Sequence, residues 1–131
     1  LGAAICQLVV DASFGSVLLL VIISTVLVIF LTELASNTAA AALTLPILAA
    51  AAVKLTGDSS LVWLVVIPAG MASSCAFMLP VATPPNAIVF ASGELRISQM
   101  VKAGIGLNLL AIVVIPLYVW LMVSWFPAAG G

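Results

Sequence analysis

The chain has 131 residues, 66% of them hydrophobic and 5% charged, with no histidine and a net charge of −1. A soluble domain carries about 25% charged residues. The charged set here, Asp11, Glu33, Lys54, Asp58, Glu94, Arg96 and Lys102, cannot cover a water-facing surface. The composition excludes a basic nucleic-acid face, histidine-based catalytic pairs and histidine metal centres, and it predicts an all-α integral membrane protein.

Residues 1–15 read as a connecting segment. They begin at Leu1 without a basic n-region or a cleavage-site pattern, which predicts no signal peptide and a start inside a longer protein. Cys6 and Cys75 have no metal-ligand spacing and read as small buried side chains. Two apolar stretches follow, Ser16 to Thr32 and Ala39 to Leu55, each slightly short of the roughly 20 residues that a crossing needs. They are joined by Thr32-Glu33-Leu34-Ala35-Ser36-Asn37-Thr38. Residues 16–55 are therefore either two full crossings with a wet turn or a re-entrant hairpin. Both return the chain to the side it came from.

Thr56-Gly57-Asp58-Ser59-Ser60 is an aqueous turn. Leu61 to Leu79 and the stub Ala87 to Ala91 flank Pro80-Val81-Ala82-Thr83-Pro84-Pro85-Asn86. As one helix these two stretches would run about 48 Å, against about 30 Å of hydrocarbon. A helix broken at the proline-rich segment, over residues 61–93, resolves the excess. Residues 94–99 form an interfacial turn, and residues 100–126 the C-terminal transmembrane helix. Pro46, Pro68 and Pro116 predict kinks, and Ala49 to Ala52 with the Ala69/Ser73 and Gly70/Ser74 pairs predict close helix packing. Arg96 and Lys102 put residues 92–102 in the cytoplasm and the C-terminus outside, with Trp63, Trp120 and Trp125 at the outer interface.

Non-helical backbone at membrane depth is tolerated only where protein buries it or it lines a wet cavity. At the first break, the carbonyls near Thr32 and Ala35 and the Asn37 side-chain oxygen form a hard oxygen environment suited to Na⁺. Asn37 or Thr38 is the expected N-cap of the following helix, whose free N–H groups favour an anion. The second break is expected to repeat this logic. Carbonyls around Val81 and Ala82 end one half-helix, Pro84-Pro85-Asn86 opens the next, and Thr83 and Asn86 supply side-chain donors. Each break alone has a structural reading, as helix-pairing polar residues or a kink. Together they point to the discontinuous-helix site of a secondary transporter. Glu33 is the only acid deep in an apolar region. It acts functionally, or supports a loop by accepting backbone N–H bonds, or lies at the interface, and the lack of a second buried acid or a histidine favours support.

The run Thr32 to Ala39, followed by Cys75-Ala76-Phe77-Met78-Leu79-Pro80-Val81-Ala82-Thr83-Pro84-Pro85-Asn86-Ala87, resembles the divalent anion/sodium symporter family, which includes INDY-type dicarboxylate, citrate and sulfate carriers. The resemblance covers nearly the whole chain but only the C-terminal part of a family member, the second of two inverted repeats. It implies a re-entrant hairpin with Ser-Asn-Thr at its tip, then a broken helix. It implies substrate carboxylates on Ser36, Asn37 and Thr38, with Thr83 and Pro84 nearby, and Na⁺ against Thr32, Ala35, Asn37 and Ala82.

The resemblance also implies Na⁺-coupled uptake of dicarboxylates or related divalent anions across the cell inner membrane, and no enzymatic step. In the intact protein it implies elevator-type motion, a homodimer and the missing N-terminal repeat as partner. A non-transporting membrane subunit, or a half-size protein pairing with another chain, is the alternative.

Overall fold

A computed structural model describes residues 2–125, with side chains from residue 16 onward. Five helices follow in order: α1 (Gly2–Leu34), α2 (Asn37–Thr56), α3 (Trp63–Ala72), α4 (Pro84–Ala91) and α5 (Ile97–Trp125). A single 3₁₀ turn, Ser59–Leu61, lies between α2 and α3. Ser16–Leu34 of α1, all of α2 and all of α5 are long and apolar enough to cross a membrane. The Cys6 side chain, Leu1 and Phe126 lie outside the described residues.

Helix α1 is the central element, packed against α2, α3 and α5. Its buried positions are Val17, Val21, Ser24, Thr25, Val28, Ile29, Thr32 and Glu33, an unbroken run of three- and four-residue steps along one face. Within that face Ser24 Oγ donates to the Val21 carbonyl, so its hydroxyl is satisfied inside the helix. Two apolar layers build on it. Val17 and Val21 meet Ala52 of α2, Leu64 and Val65 of α3 and Val119 of α5. Nearer the C-terminus of α1, Val28 and Ile29 meet Ala69, Ala72 and Ile115. A third layer continues the same face of α1, and it is polar.

Because Ala52 shares a layer with Val17 and Val21, α1 and α2 run antiparallel as a helical hairpin. The connector is two residues, Ala35 and Ser36. Gly57 ends α2 with φ 70°, and its N–H bonds back to the Val53 carbonyl. The left-handed conformation suits a residue without Cβ. Asp58 then caps the 3₁₀ turn. The Ser60 hydroxyl and, next, the Ser60 backbone N–H hold its carboxyl below the usual carboxylate range.

The structure differs from the sequence expectation at three boundaries. Helix α1 begins at Gly2 and runs straight through the expected connecting segment, reaching about 50 Å. Helix α5 begins at Ile97 rather than Met100, because the Gln99 side-chain oxygen accepts the Arg96 N–H and organises its first turn. The largest difference is the break. Helix α3 stops at Ala72, so the interruption covers residues 73–83 and begins well before Pro80. The half-helix therefore does not end at Val81 and Ala82.

The expected kinking prolines, Pro46, Pro68 and Pro116, all lie inside helices. Trp63 and Trp120 adjoin Leu64 and Val119 of one apolar layer in the chain, and Trp63, Trp120 and Trp125 are all exposed.

Truncating Ile29, which is fully buried, to alanine is expected to lower thermal stability by about 2 kcal/mol through the cavity it leaves. Leu43→Ala, at a position 61% exposed, is expected to leave the unfolding temperature unchanged. Thermal unfolding of the two variants in detergent checks both.

Candidate ion and anion site

The buried face of α1 ends on Thr32 and Glu33, and these two side chains hold the hairpin tip to the interruption. Thr32 Oγ1 lies 2.7 Å from Asn37 Oδ1 and 2.8 Å from the Ser73 carbonyl. One hydroxyl proton cannot serve two acceptors fully. The consistent arrangement has Thr32 donating to the carbonyl while the Asn37 amide turns its nitrogen toward Thr32. Either way, Thr32 joins α1, α2 and the end of α3 at one point.

Glu33 is 3% exposed. Its Oε1 accepts from the N–H groups of Phe77 at 2.8 Å and Met78 at 2.9 Å, and its Oε2 from Met78 and Leu79, each at 3.1 Å. Asn108 Nδ2 of α5 is the carboxylate's fourth donor, to Oε1 at 2.8 Å. Three consecutive backbone N–H groups converging on one carboxylate form an anion-accepting nest, filled here by the protein's own acid. That geometry gives the physical reason for the early end of α3. The N–H groups that would continue the helix from Phe77 to Leu79 go to Glu33 instead, and Pro80 disfavours a helical Leu79. The supporting role expected of Glu33 is what the structure shows.

Two further contacts fix the interruption. Asn86 Nδ2 donates to the Ala76 and Leu79 carbonyls at 2.9 and 3.0 Å. Gly104 of α5 lies directly under the chain. A Cβ there would sit 2.6 Å from Met78 Cα and closer still to the Phe77 carbonyl group. Cys75 is a half-buried free cysteine whose thiol faces the Met71 carbonyl.

The two breaks are not equivalent. At the hairpin tip Ser36 is the N-cap, its Oγ accepting the Ala39 N–H at 3.2 Å. The Asn37 and Thr38 N–H groups have no carbonyl one turn back within α2, which leaves them for an anion. At α4, Thr83 is the N-cap and accepts the Asn86 N–H, while Pro84 and Pro85 have no N–H. Helix α4 therefore offers no free backbone donor in its first three positions. Both protons of the Asn86 amide are engaged by carbonyls, so Asn86 is a clamp and Thr83 keeps only its hydroxyl proton. The expected repetition of the donor logic fails at the backbone level.

For a cation, the carbonyls of Thr32, Ala35 and Ala82 accept no hydrogen bond from the described residues. The first two lie at the C-terminal, negative end of α1. Ala82 is buried in the interruption, with its N–H on the Leu79 carbonyl. No cluster of three or more acid, cysteine or histidine side chains exists among the described residues. The donor set at the tip is neutral oxygen, which suits an alkali cation better than zinc.

A groove of about 560 Å³ opens beside the tip, with Asn37, Thr38 and Ala41 on one side and Ser73 and Ser74 on the other. The structure brings Thr32, Asn37 and Ser73 together by hydrogen bonds. No hydrogen bond among the described residues ties Thr83, Pro84 or Ala82 to Ser36, Asn37 or Thr38.

The profile of the sodium:sulfate symporter transmembrane region matches residues 1–128. The chain belongs to this family of divalent anion/sodium symporters. Its members are transporters, not enzymes. A sodium-dependent dicarboxylate transporter, SdcS, of Staphylococcus saprophyticus is 49% identical over 108 residues, 82% of this chain and 20% of the relative. An uncharacterized transporter of Haemophilus influenzae is 54% identical over 88 residues, 67% of this chain and 18% of the relative. The SdcS of Staphylococcus aureus is 49% identical over 89 residues, 68% of this chain and 16% of the relative. The chain thus spans about a fifth or less of the length of the relatives it matches.

Sequence reasoning did not single out Gly104 or Asn108, and it gave Ser73 no part in the site. Ser73 read as a packing residue, yet its carbonyl is the acceptor for Thr32. The available signal for Asn108 was a single amide within the long apolar stretch of residues 100–126, four residues after Gly104.

Thr32→Val, which keeps the shape and removes the hydroxyl, is expected to destabilise the protein by about 1–3 kcal/mol, because it leaves the Ser73 carbonyl and the Asn37 amide unpartnered. Thermal unfolding checks this. A lower unfolding temperature is expected for Thr32→Val and not for Thr38→Val, whose side chain is exposed.

Proposed function

We propose that this chain is the second inverted repeat of a Na⁺-coupled symporter for dicarboxylates, with the hairpin tip as a joint ion and anion site. The observation that carries the reading is the tip itself. The Asn37 and Thr38 N–H groups and the Ser36 hydroxyl sit at the positive end of α2, and the unbonded Thr32 and Ala35 carbonyls sit at the negative end of α1. Ser36, Asn37 and Thr38 take the substrate carboxylates, with Thr83 and Pro84 beside them. Thr32, Ala35, Asn37 and Ala82 take Na⁺. Asn37 belongs to both sets, so a bound cation lowers the cost of bringing a dianion into the membrane. Coupling follows from that shared residue.

The hairpin is re-entrant in this reading. The Glu33–Asn108 bond puts the tip level with Asn108, about 18 Å along α5 from Trp120 and about 17 Å from Ile97. A tip at that depth supports a hairpin that enters from the tryptophan end and returns, rather than two full crossings. Arg96 and Lys102 then face the cytoplasm and the C-terminus lies outside, in the cell inner membrane. Helix α4 has no buried residue, and a first repeat elsewhere in the protein is the partner that covers it and completes the substrate site. Elevator-type motion and a homodimer belong to the intact protein. Dicarboxylates are preferred to sulfate because the SdcS relatives are named for them.

The test is uptake of labelled succinate by proteoliposomes containing the full-length protein. Uptake is expected with Na⁺ outside and not with K⁺, and Asn37→Ala is expected to abolish it. Wild-type uptake by Asn37→Ala with unchanged Na⁺ dependence would contradict the assignment.

A further inference from the structure

We propose that Asn108 is a positioning residue for the ion site, acting from α5 through Glu33 and the interruption; this rests on the reading of the chain as part of a Na⁺-coupled transporter. Asn108 is 1% exposed, and its one hydrogen bond is the 2.8 Å bond from Nδ2 to Glu33 Oε1. Its own Oδ1 is buried and without a partner among the described residues. The orientation of the amide is forced. Turning it over would press an oxygen against the Glu33 carboxylate.

A buried amide oxygen left without a donor is destabilising, and a leucine would fill the same space without one. The reason for an amide here is therefore its bond to Glu33, not packing within α5. What the amide does is hold Glu33, and Glu33 holds Phe77, Met78 and Leu79. One turn before Asn108, on the same face of α5, Gly104 meets the Phe77–Met78 backbone at a distance that no Cβ allows. Helix α5 thus grips the interruption twice, by a hydrogen bond through Glu33 and by direct backbone contact.

The chain between these grips and the hairpin sets where two carbonyls lie. Ser73 provides the acceptor for Thr32, and Ala82 provides a proposed Na⁺ ligand. The Thr32–Asn37 pair and the Ala82 carbonyl belong to different elements, so their separation is fixed only as well as the interruption is fixed. Asn108 and Gly104 touch neither ion nor substrate, and they act by holding that separation.

The test measures initial succinate uptake against external Na⁺ for the full-length protein in proteoliposomes, per folded transporter, alongside thermal unfolding. Asn108→Leu is expected to raise the half-saturating Na⁺ concentration on the order of tenfold, as loss of a supporting contact around a metal site does. Its unfolding temperature is expected to fall with the lost bond to the Glu33 carboxylate, and its maximal rate at saturating Na⁺ to persist. Gly104→Ala is expected to shift Na⁺ dependence in the same direction. Leu109→Ala, at a position 56% exposed on α5, is expected to shift nothing.

A purely structural role for Asn108 would change yield and unfolding temperature and leave the half-saturating Na⁺ in place. That result for Asn108→Leu would overturn the proposal. If Asn108→Leu does not fold, Asn108→Ala is measured in the same way and decides it. A wild-type protein whose uptake is indifferent to Na⁺ would overturn the functional reading and this inference together. Unshifted variants of a Na⁺-dependent wild type would overturn this inference alone.

Discussion

The Glu33 carboxylate is the interaction on which the rest of the site depends. It stands in the polar layer of the bundle and takes four N–H donors, three from consecutive backbone positions and one from α5. Hydrogen bonds to a carboxylate contribute about 1.5–3 kcal/mol each, roughly twice a neutral pair. Without them, the Phe77, Met78 and Leu79 N–H groups would lose their acceptors inside the protein, at a cost of about 1–3 kcal/mol per group. The acid is thus a substitute for the helix that the chain gives up there. It allows an irregular segment to exist beside the hairpin tip, and that segment supplies the Ser73 carbonyl that fastens Thr32.

The placement of Glu33 follows from the register of α1. Its apolar face steps from Val17 to Ile29 in three- and four-residue intervals, and the next two positions on that face are Thr32 and Glu33. Two apolar layers fix the rotation of the helix, and the rotation then aims the polar pair inward. Helix α5 uses the same device, with Ile115 and Val119 in the apolar layers and Asn108 and Gly104 level with the interruption. Packing at the tryptophan end therefore determines geometry at the hairpin tip. Asn108 shows the cost of this arrangement, a buried amide oxygen without a donor.

Much of this was legible in the sequence because the signals are local. Ser36-Asn37-Thr38 between apolar stretches marked the hairpin tip, and Ser36 rather than Asn37 or Thr38 proved to be its cap. Pro84 and Pro85 marked the first turn of α4, where they sit. The upstream edge of the interruption was not legible. Residues 61–79 are apolar enough for one helix, and what breaks it at Ala72 is a partner more than forty positions away in the chain. The reach from Asn108 to Glu33 spans 75 positions, and a lone amide in an apolar stretch does not name so distant a partner. Gly104 was equally silent, since its meaning lies in what touches it.

In the proposed site, one hairpin tip binds a cation and an anion through the shared residue Asn37, so each ligand must strengthen the other. Linkage makes this reciprocal: the factor by which Na⁺ tightens the anion equals the factor by which the anion tightens Na⁺. The most direct measurement is calorimetric titration of the purified full-length protein with succinate in Na⁺ and in K⁺, and with Na⁺ in the presence and absence of succinate. Tighter succinate binding in Na⁺ and tighter Na⁺ binding with succinate are expected, by the same factor. Equal succinate affinity in the two salts would contradict the proposed site.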